Sequence, residues 1–246
     1  PERNMAGTGF TNALLGILAL ACYSLAAGFY IANLRHPRTS AGRTAPGLAV
    51  VGAALNFGFL YARSVALRSV PYSDLLGSMA LFGFFLAGMN LVLEQRHHDR
   101  SLGPFLMPVS LTFLLLAFVL PGGGPPRPDM KGAIFAVHVT LNVLSYAAFA
   151  VACALALLYL TLQRKLKSRS MQILKGPVSR LPSLGYLERA NRTSLGVGVL
   201  SLGVGLALGF TWAHQVWRGA HPITDLLLDA KIWSAIFTLA FYLVVF

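Results

Sequence analysis

Long stretches without a single charged residue set the limits on this fold. No Asp, Glu, Lys or Arg falls within residues 4–34, 44–62, 75–93, 101–126, 132–163, 193–217 or 232–246. A helix rises 1.5 Å per residue, so about 20 apolar residues cross a hydrocarbon layer of ~30 Å. The first six stretches reach that length, two of them narrowly; the seventh has 15 residues and runs to Phe246. None alternates polar and apolar residues as the strands of a membrane barrel do. The expected fold is all-α: a polytopic transmembrane helical bundle of about seven spans. Residues 1–246 are expected to form a single membrane domain. A span stopping at Phe246 would leave a carboxylate at membrane depth, so the C-terminal end is expected to be truncated.

Charge supports the same class. Only 11% of residues are charged and 56% are hydrophobic, against roughly 25% charged in a soluble domain. Disorder is excluded, because a disordered chain is rich in charge and poor in apolar residues. The net charge of +12 does not lie along one stripe, which excludes a nucleic-acid surface. It reads as topology charge. Arg35, Arg38, Arg43, Arg96, Arg100, Arg164, Lys165, Lys167, Arg169, Lys175, Arg180, Arg189 and Arg192 all fall in alternate connections and account for 13 of the 20 basic residues. That side is expected to face the cytoplasm of a bacterial-type inner membrane. The N-terminus and the tryptophan-rich stretch 212–233 then lie outside. Leu181, Leu184 and Leu187 repeat at spacing three among Arg180, Glu188 and Arg189, the pattern of a short interfacial helix before the sixth span.

Few residues carry candidate chemistry. Cys22 and Cys153 are 131 positions apart in apolar runs and read as small inert hydrophobes. His36, His97 and His98 sit among charged residues and are expected at a solvated surface. His138 lies inside the fifth apolar run. An ionisable residue there faces protein or a cavity. Two readings stay open: a hydrogen bond to a neighbouring helix, or ligation of a metal such as haem iron. Asn142, Ser145 and Tyr146 follow at helical spacing and extend a polar stripe. All three tryptophans, Trp212, Trp217 and Trp233, fall in one stretch with His214 and His221. That stretch is either an anchoring belt at the membrane surface or a stacking platform for a flat apolar ligand. Asp229 and Lys231 are loop charges or contacts to ligand charges. Gly205 and Gly209 form a G-x-x-x-G that serves close helix packing.

Three ordered stretches resemble the integral membrane cytochrome c assembly family of the CcsA/CcmC type. The first, PYSDLLGSMALFGFFLAGMNLVLEQRHHDRSLGPFLMPVSL, spans residues 71–111 and is similar to the family's P-x-S-N-x-Y-E-S segment with its R-S-L-G-x-F-x-x-P connection. The second, HVTLNVLSYAAFAVACALALLYL, begins at His138 and resembles a helix opening on an external histidine. The third, LPSLGYLERANRTSLGVGVLSLGVGLALGFTWAHQVW followed by DAKIWS, is similar to the family's glycine-rich helix and the two ends of its tryptophan-rich loop. The resemblance implies a protein that handles haem at the outer membrane face. It implies His138 as an iron ligand, Trp212 and Trp217 at the start of the haem-holding loop, and Asp229, Lys231 and Trp233 at its end. It also implies apocytochrome c as a partner.

Several positions depart from the family pattern. Residues 226–229 read LLLD where full members carry W-x-W-D, and Ala230 replaces a proline. Arg68, Ser69 and Val70 stand where full members carry a transmembrane histidine before P-x-S. The second external histidine of the family would follow the seventh helix; His214 or His221 could stand in for it. These departures place the chain nearer the HemX/YpjD-like branch than a complete haem–cytochrome c synthetase. Two functions follow as expectations. One is a haem-handling protein of cytochrome c biogenesis. The other is a degenerate relative acting as a structural accessory subunit of a larger membrane complex. A small transporter ranks below both, because the chain has no clear internal repeat.

Overall fold

A computed structural model describes residues 2–35, 41–67, 69–72, 74–120, 132–167, 182–216 and 230–245. Seven helices carry them: α1 (Glu2–Arg35), α2 (Ala41–Leu67), α3 (Leu75–His97), α4 (Gly103–Val119), α5 (Ala133–Lys167), α6 (Leu184–Val216) and α7 (Ala230–Val245). No strand occurs among the described residues. Five of the helices are long and apolar enough to cross a bilayer unaided: α1, α2, α3, α5 and α6. α4 and α7 are shorter, at 17 and 16 residues. The chain is an integral membrane protein built as a polytopic helical bundle, and the span count agrees roughly with the seven expected.

Local chemistry sets the helix ends. The Asp74 carboxylate caps α3 by accepting the Gly77 amide at 3.0 Å, and it pairs with Arg63 from the end of α2. This satisfies one of the donors that a helix start leaves free. His98 closes α3 in the left-handed conformation, φ 53°, which breaks the helical path. Pro104 sits in the first turn of α4, where its missing N–H costs nothing. One expectation is corrected here. Of residues 177–192, expected as a short interfacial helix, 177–181 lie outside the described residues and 184–192 are the first turns of α6. No proline follows Pro182 to interrupt them, and Tyr186, Leu187 and Ala190 bury inside the bundle in place of lying on a membrane surface.

The bundle is assembled from antiparallel hairpins around α3. α1 pairs with α2, α3 with α4 and α5 with α6; α3 also packs on α2, α5 and α6. Small residues allow the close approach. Ala19, Ala26, Ala45 and Ala49 are fully buried between α1 and α2. A Cβ on Gly83 would come within 2.9 Å of the Ser110 carbonyl oxygen, so the α3 and α4 backbones touch there. This is the packing expected where lipid offers no hydrophobic drive between helices. Large apolar side chains such as Ile17, Phe57, Leu200 and Phe237 are exposed, which suits a lipid-facing surface. One core joins α1 to α4. A second joins α3 to α5 and α6. A third joins α5, α6 and α7.

Candidate functional site

The α5–α6 hairpin carries the candidate site. Three side chains of α5 fill three glycine positions of α6. A Cβ on Gly198 would lie 2.4 Å from the Phe149 ring, one on Gly205 would lie 2.7 Å from Asn142 Oδ1, and one on Gly209 would lie 2.4 Å from His138 Cε1. No Cβ fits at such distances, so each glycine leaves the space that its partner fills. The spacing from Phe149 back to Asn142 and His138 is seven, then four; the spacing from Gly198 on to Gly205 and Gly209 is the same. Two antiparallel helices with that pattern stay in register along the whole contact.

His138 is the last of the three. Its Nδ1 lies 2.7 Å from the Gly205 carbonyl oxygen on α6. The Asn142 amide nitrogen lies 3.1 Å from Nδ1 and 3.2 Å from Nε2. Asn142 Oδ1 is buried without a hydrogen-bond partner. Ser145 is buried and donates to the Asn142 carbonyl at 2.7 Å. Tyr146, placed on the same polar stripe by spacing, is instead exposed, because it lies past the edge of the α6 contact.

Around this point the structure places the other sequence-derived residues as follows. Trp212 of α6 packs its ring on Phe135, three residues before His138, with centroids 4.9 Å apart. His138 and Trp212 thus sit on adjoining turns of one helix pair. His214 is exposed near the end of α6. Trp233 is exposed in the first turn of α7, with its ring 5.9 Å from Phe237. α7 is fixed against α5 by Phe149 and Tyr242, which stack at 3.9 Å with an interplanar angle of 7°. Trp217, His221 and Asp229 lie outside the described residues, as does the side chain of Lys231.

The opposite face of α5 is held by Tyr72. Its hydroxyl lies 3.0 Å from the Ala136 carbonyl oxygen and 2.6 Å from Thr140 Oγ1. Burial pushes the Tyr72 phenol above its ordinary range, and the Thr140 hydrogen bond pulls partly back. A cleft of about 420 Å³ opens beside it, lined by Ser64, Ser69, Val70, Pro71 and Gly132 among others. At the far end of the bundle lies a second polar cluster, which the sequence did not disclose. Glu94 accepts from Tyr30 Oη at 2.5 Å and from Arg100 Nε at 2.9 Å, and Arg100 also donates to the Gly42 carbonyl at 2.6 Å. His97, expected at a solvated surface, is instead half-buried. Its ring meets Tyr186 edge-on at 5.5 Å, and Nε2 lies 3.5 Å from Thr193 Oγ1.

Among the described residues, no three His, Cys, Asp or Glu side chains converge on one point. A metal ion needing several protein ligands is not served there. Haem needs less, since the porphyrin supplies the equatorial donors and the protein one or two axial ligands. His138 fits that demand. A backbone carbonyl engages one ring nitrogen, the arrangement that commonly fixes a ligating histidine, and an aromatic pair stands one turn away.

The model of the family described as Cytochrome C assembly protein matches residues 72–246. The chain belongs to that family. Among curated proteins it is 27% identical to Protein HemX of Brevibacillus brevis over 231 residues, covering 92% of this chain and 80% of that protein. It is 26% identical to the cytochrome c biogenesis protein CcsA of Gloeobacter violaceus over 194 residues, covering 77% of this chain and 56% of that protein. Against CcsA of Microcystis aeruginosa the identity is 23% over 246 residues, with coverage of 80% and 74%. The chain thus spans little more than half the length of the Gloeobacter protein. No solved structure matches the chain. The matched region starts at Tyr72, so it takes in α3 to α7 and leaves out α1 and α2.

Proposed function

We propose that this protein binds and positions haem for cytochrome c assembly at the end of the bundle that carries His138. His138 would ligate the iron. Trp212, Trp217 and Trp233 would supply the aromatic wall, Asp229 would meet a polar or charged group of the ligand, and His214 or His221 would complete the iron's coordination. This end faces outside the inner membrane, because most of the basic residues fall in the connections at the opposite end. Haem, when bound, supplies the iron and the vinyl groups whose chemistry an assembly protein serves; the chain's own part is to orient the ring and keep water from it. The LLLD sequence at residues 226–229 removes two aromatics from that wall. The protein is therefore not a complete haem–cytochrome c synthetase on its own, and apocytochrome c or another membrane-complex subunit acts with it.

The observation that carries this reading is His138 itself. It is an intramembrane histidine held by a helix carbonyl beside an aromatic pair, in a chain of a haem-related family. The test is spectroscopic. Protein purified in mild detergent is expected to carry a Soret band, or to gain one on adding haemin. The band should shift or fade in His138→Ala and return with added imidazole. A haem-free preparation that also ignores added haemin would overturn the reading.

A further inference from the structure

We propose that Asn142 and Gly205 are positioning residues that hold His138 as its Nδ1–H tautomer and make Nε2 the ligating atom. The inference deepens the haem reading above and rests on it only for the identity of the ligand. A carbonyl oxygen has no proton to give, so the 2.7 Å contact between His138 Nδ1 and the Gly205 oxygen places the proton on Nδ1. In a neutral imidazole the other nitrogen then carries the lone pair.

Asn142 does not use up that lone pair. Its amide nitrogen is nearly equidistant from the two ring nitrogens, 3.1 and 3.2 Å. A donor aligned with the Nε2 lone pair would lie much further from Nδ1, on the far side of the five-membered ring. The amide is therefore off that axis: it braces the ring by packing against it, makes no hydrogen bond to the Nδ1–H, and is not aligned with the Nε2 lone pair. The carbonyl contact places the proton whichever way the amide is turned; the amide holds the ring in the plane where Nδ1 meets that carbonyl. The bracing is tight on both sides. Gly209 leaves room for the ring, and Gly205 leaves room for the Asn142 amide, whose Oδ1 would lie 2.7 Å from an added Cβ. Gly205 thus acts twice, through its carbonyl on Nδ1 and through its missing side chain on Asn142. The sequence alone read Gly205 as a packing residue only.

The test begins without haem. Protein labelled with ¹⁵N-histidine, in bilayers or detergent, gives ring-nitrogen shifts that separate the two tautomers, with His138→Gln assigning the signal. The wild type is expected to show Nδ1–H alone. Asn142→Leu removes the brace at similar volume, and Gly205→Ala displaces the amide while retaining the carbonyl; either is expected to give a mixture. In haem-loaded protein the same two variants are expected to weaken haem binding roughly 10- to 100-fold and to move the iron's reduction potential. A wild type with the proton on Nε2 would overturn the proposal, as would variants whose tautomer and potential both match the wild type. A fixed Nδ1–H tautomer in a protein that never takes up haemin would uphold the positioning role and defeat the haem reading, so the two fail separately.

Discussion

Replacing Tyr30 with phenylalanine removes one oxygen atom from the far end of the bundle and tests how that end is held. Tyr30 is fully buried, and its hydroxyl donates a hydrogen bond to Glu94 at 2.5 Å. The remaining neighbour, Asn90 Nδ2, lies 3.4 Å away and is a donor, so it cannot replace the carboxylate as acceptor. A hydrogen bond to a charged acceptor contributes about 1.5–3 kcal/mol. The Glu94–Arg100 pair adds less, about 1 kcal/mol at most, because the Arg100 side chain is 45% exposed. Tyr30→Phe is therefore expected to cost about 2 kcal/mol. Glu94→Leu is expected to cost about 2–3 kcal/mol, since it also strands the buried hydroxyl. The double variant should cost clearly less than the two together, because no buried hydroxyl is then stranded opposite a lost carboxylate; a coupling of about 1–2 kcal/mol is expected. Reversible unfolding in mixed micelles, followed by circular dichroism, measures all three. If both single variants unfold within about 0.5 kcal/mol of the wild type, the carboxylate does not tie the helices and the reasoning fails.

Two further outcomes follow. A Cβ on Gly77 would fall 1.7 Å from the Pro71 carbonyl oxygen, so Gly77→Ala should force the segment before α3 to move. It is expected to cost more than about 2 kcal/mol, whereas Gly88→Ala, where a Cβ meets nothing within 4 Å, should be neutral or slightly stabilising; unfolding midpoints separate the two. The raised Tyr72 phenol gives a pH signature. Below the ordinary tyrosine range of about 10 the phenol is neutral folded and unfolded, and its contribution is complete. Above that range the unfolded chain ionises first, so stability falls as pH rises. The fall between pH 9 and 11 is expected to be shallower in Tyr72→Phe, and an equal slope would show that the hydroxyl is not held where the structure puts it.

The helices were legible because absence of charge over a membrane's width is a local property of the chain. The continuous α6 was less so. Its leucines at spacing three read equally well as an interfacial face or a bundle face, and only packing against α3 and α5 decides. The Glu94 cluster was not legible at all. Tyr30 and Glu94 are 64 residues apart, and nothing in either one's neighbourhood names the other. At the candidate site, His138 stood out because an ionisable residue in an apolar run is costly. Gly205 and Gly209 were seen as glycines that permit close packing, but what fills them depends on the register between two helices. The sequence marks the knob and the socket separately; the fold matches them.

That matching also constrains how the chain can change. Phe149, Asn142 and His138 meet Gly198, Gly205 and Gly209 at the same two intervals, so the contact works like a vernier scale that aligns at one setting. A single residue inserted in α6 between Gly198 and Gly205 would rotate the later glycines by about 100° and close the places of His138 and Asn142 together. The place of His138 at one end of the hairpin and the membrane packing along it are written in the same six residues. A lineage with no demand on His138 still remains bound by that packing to preserve the space its ring fills.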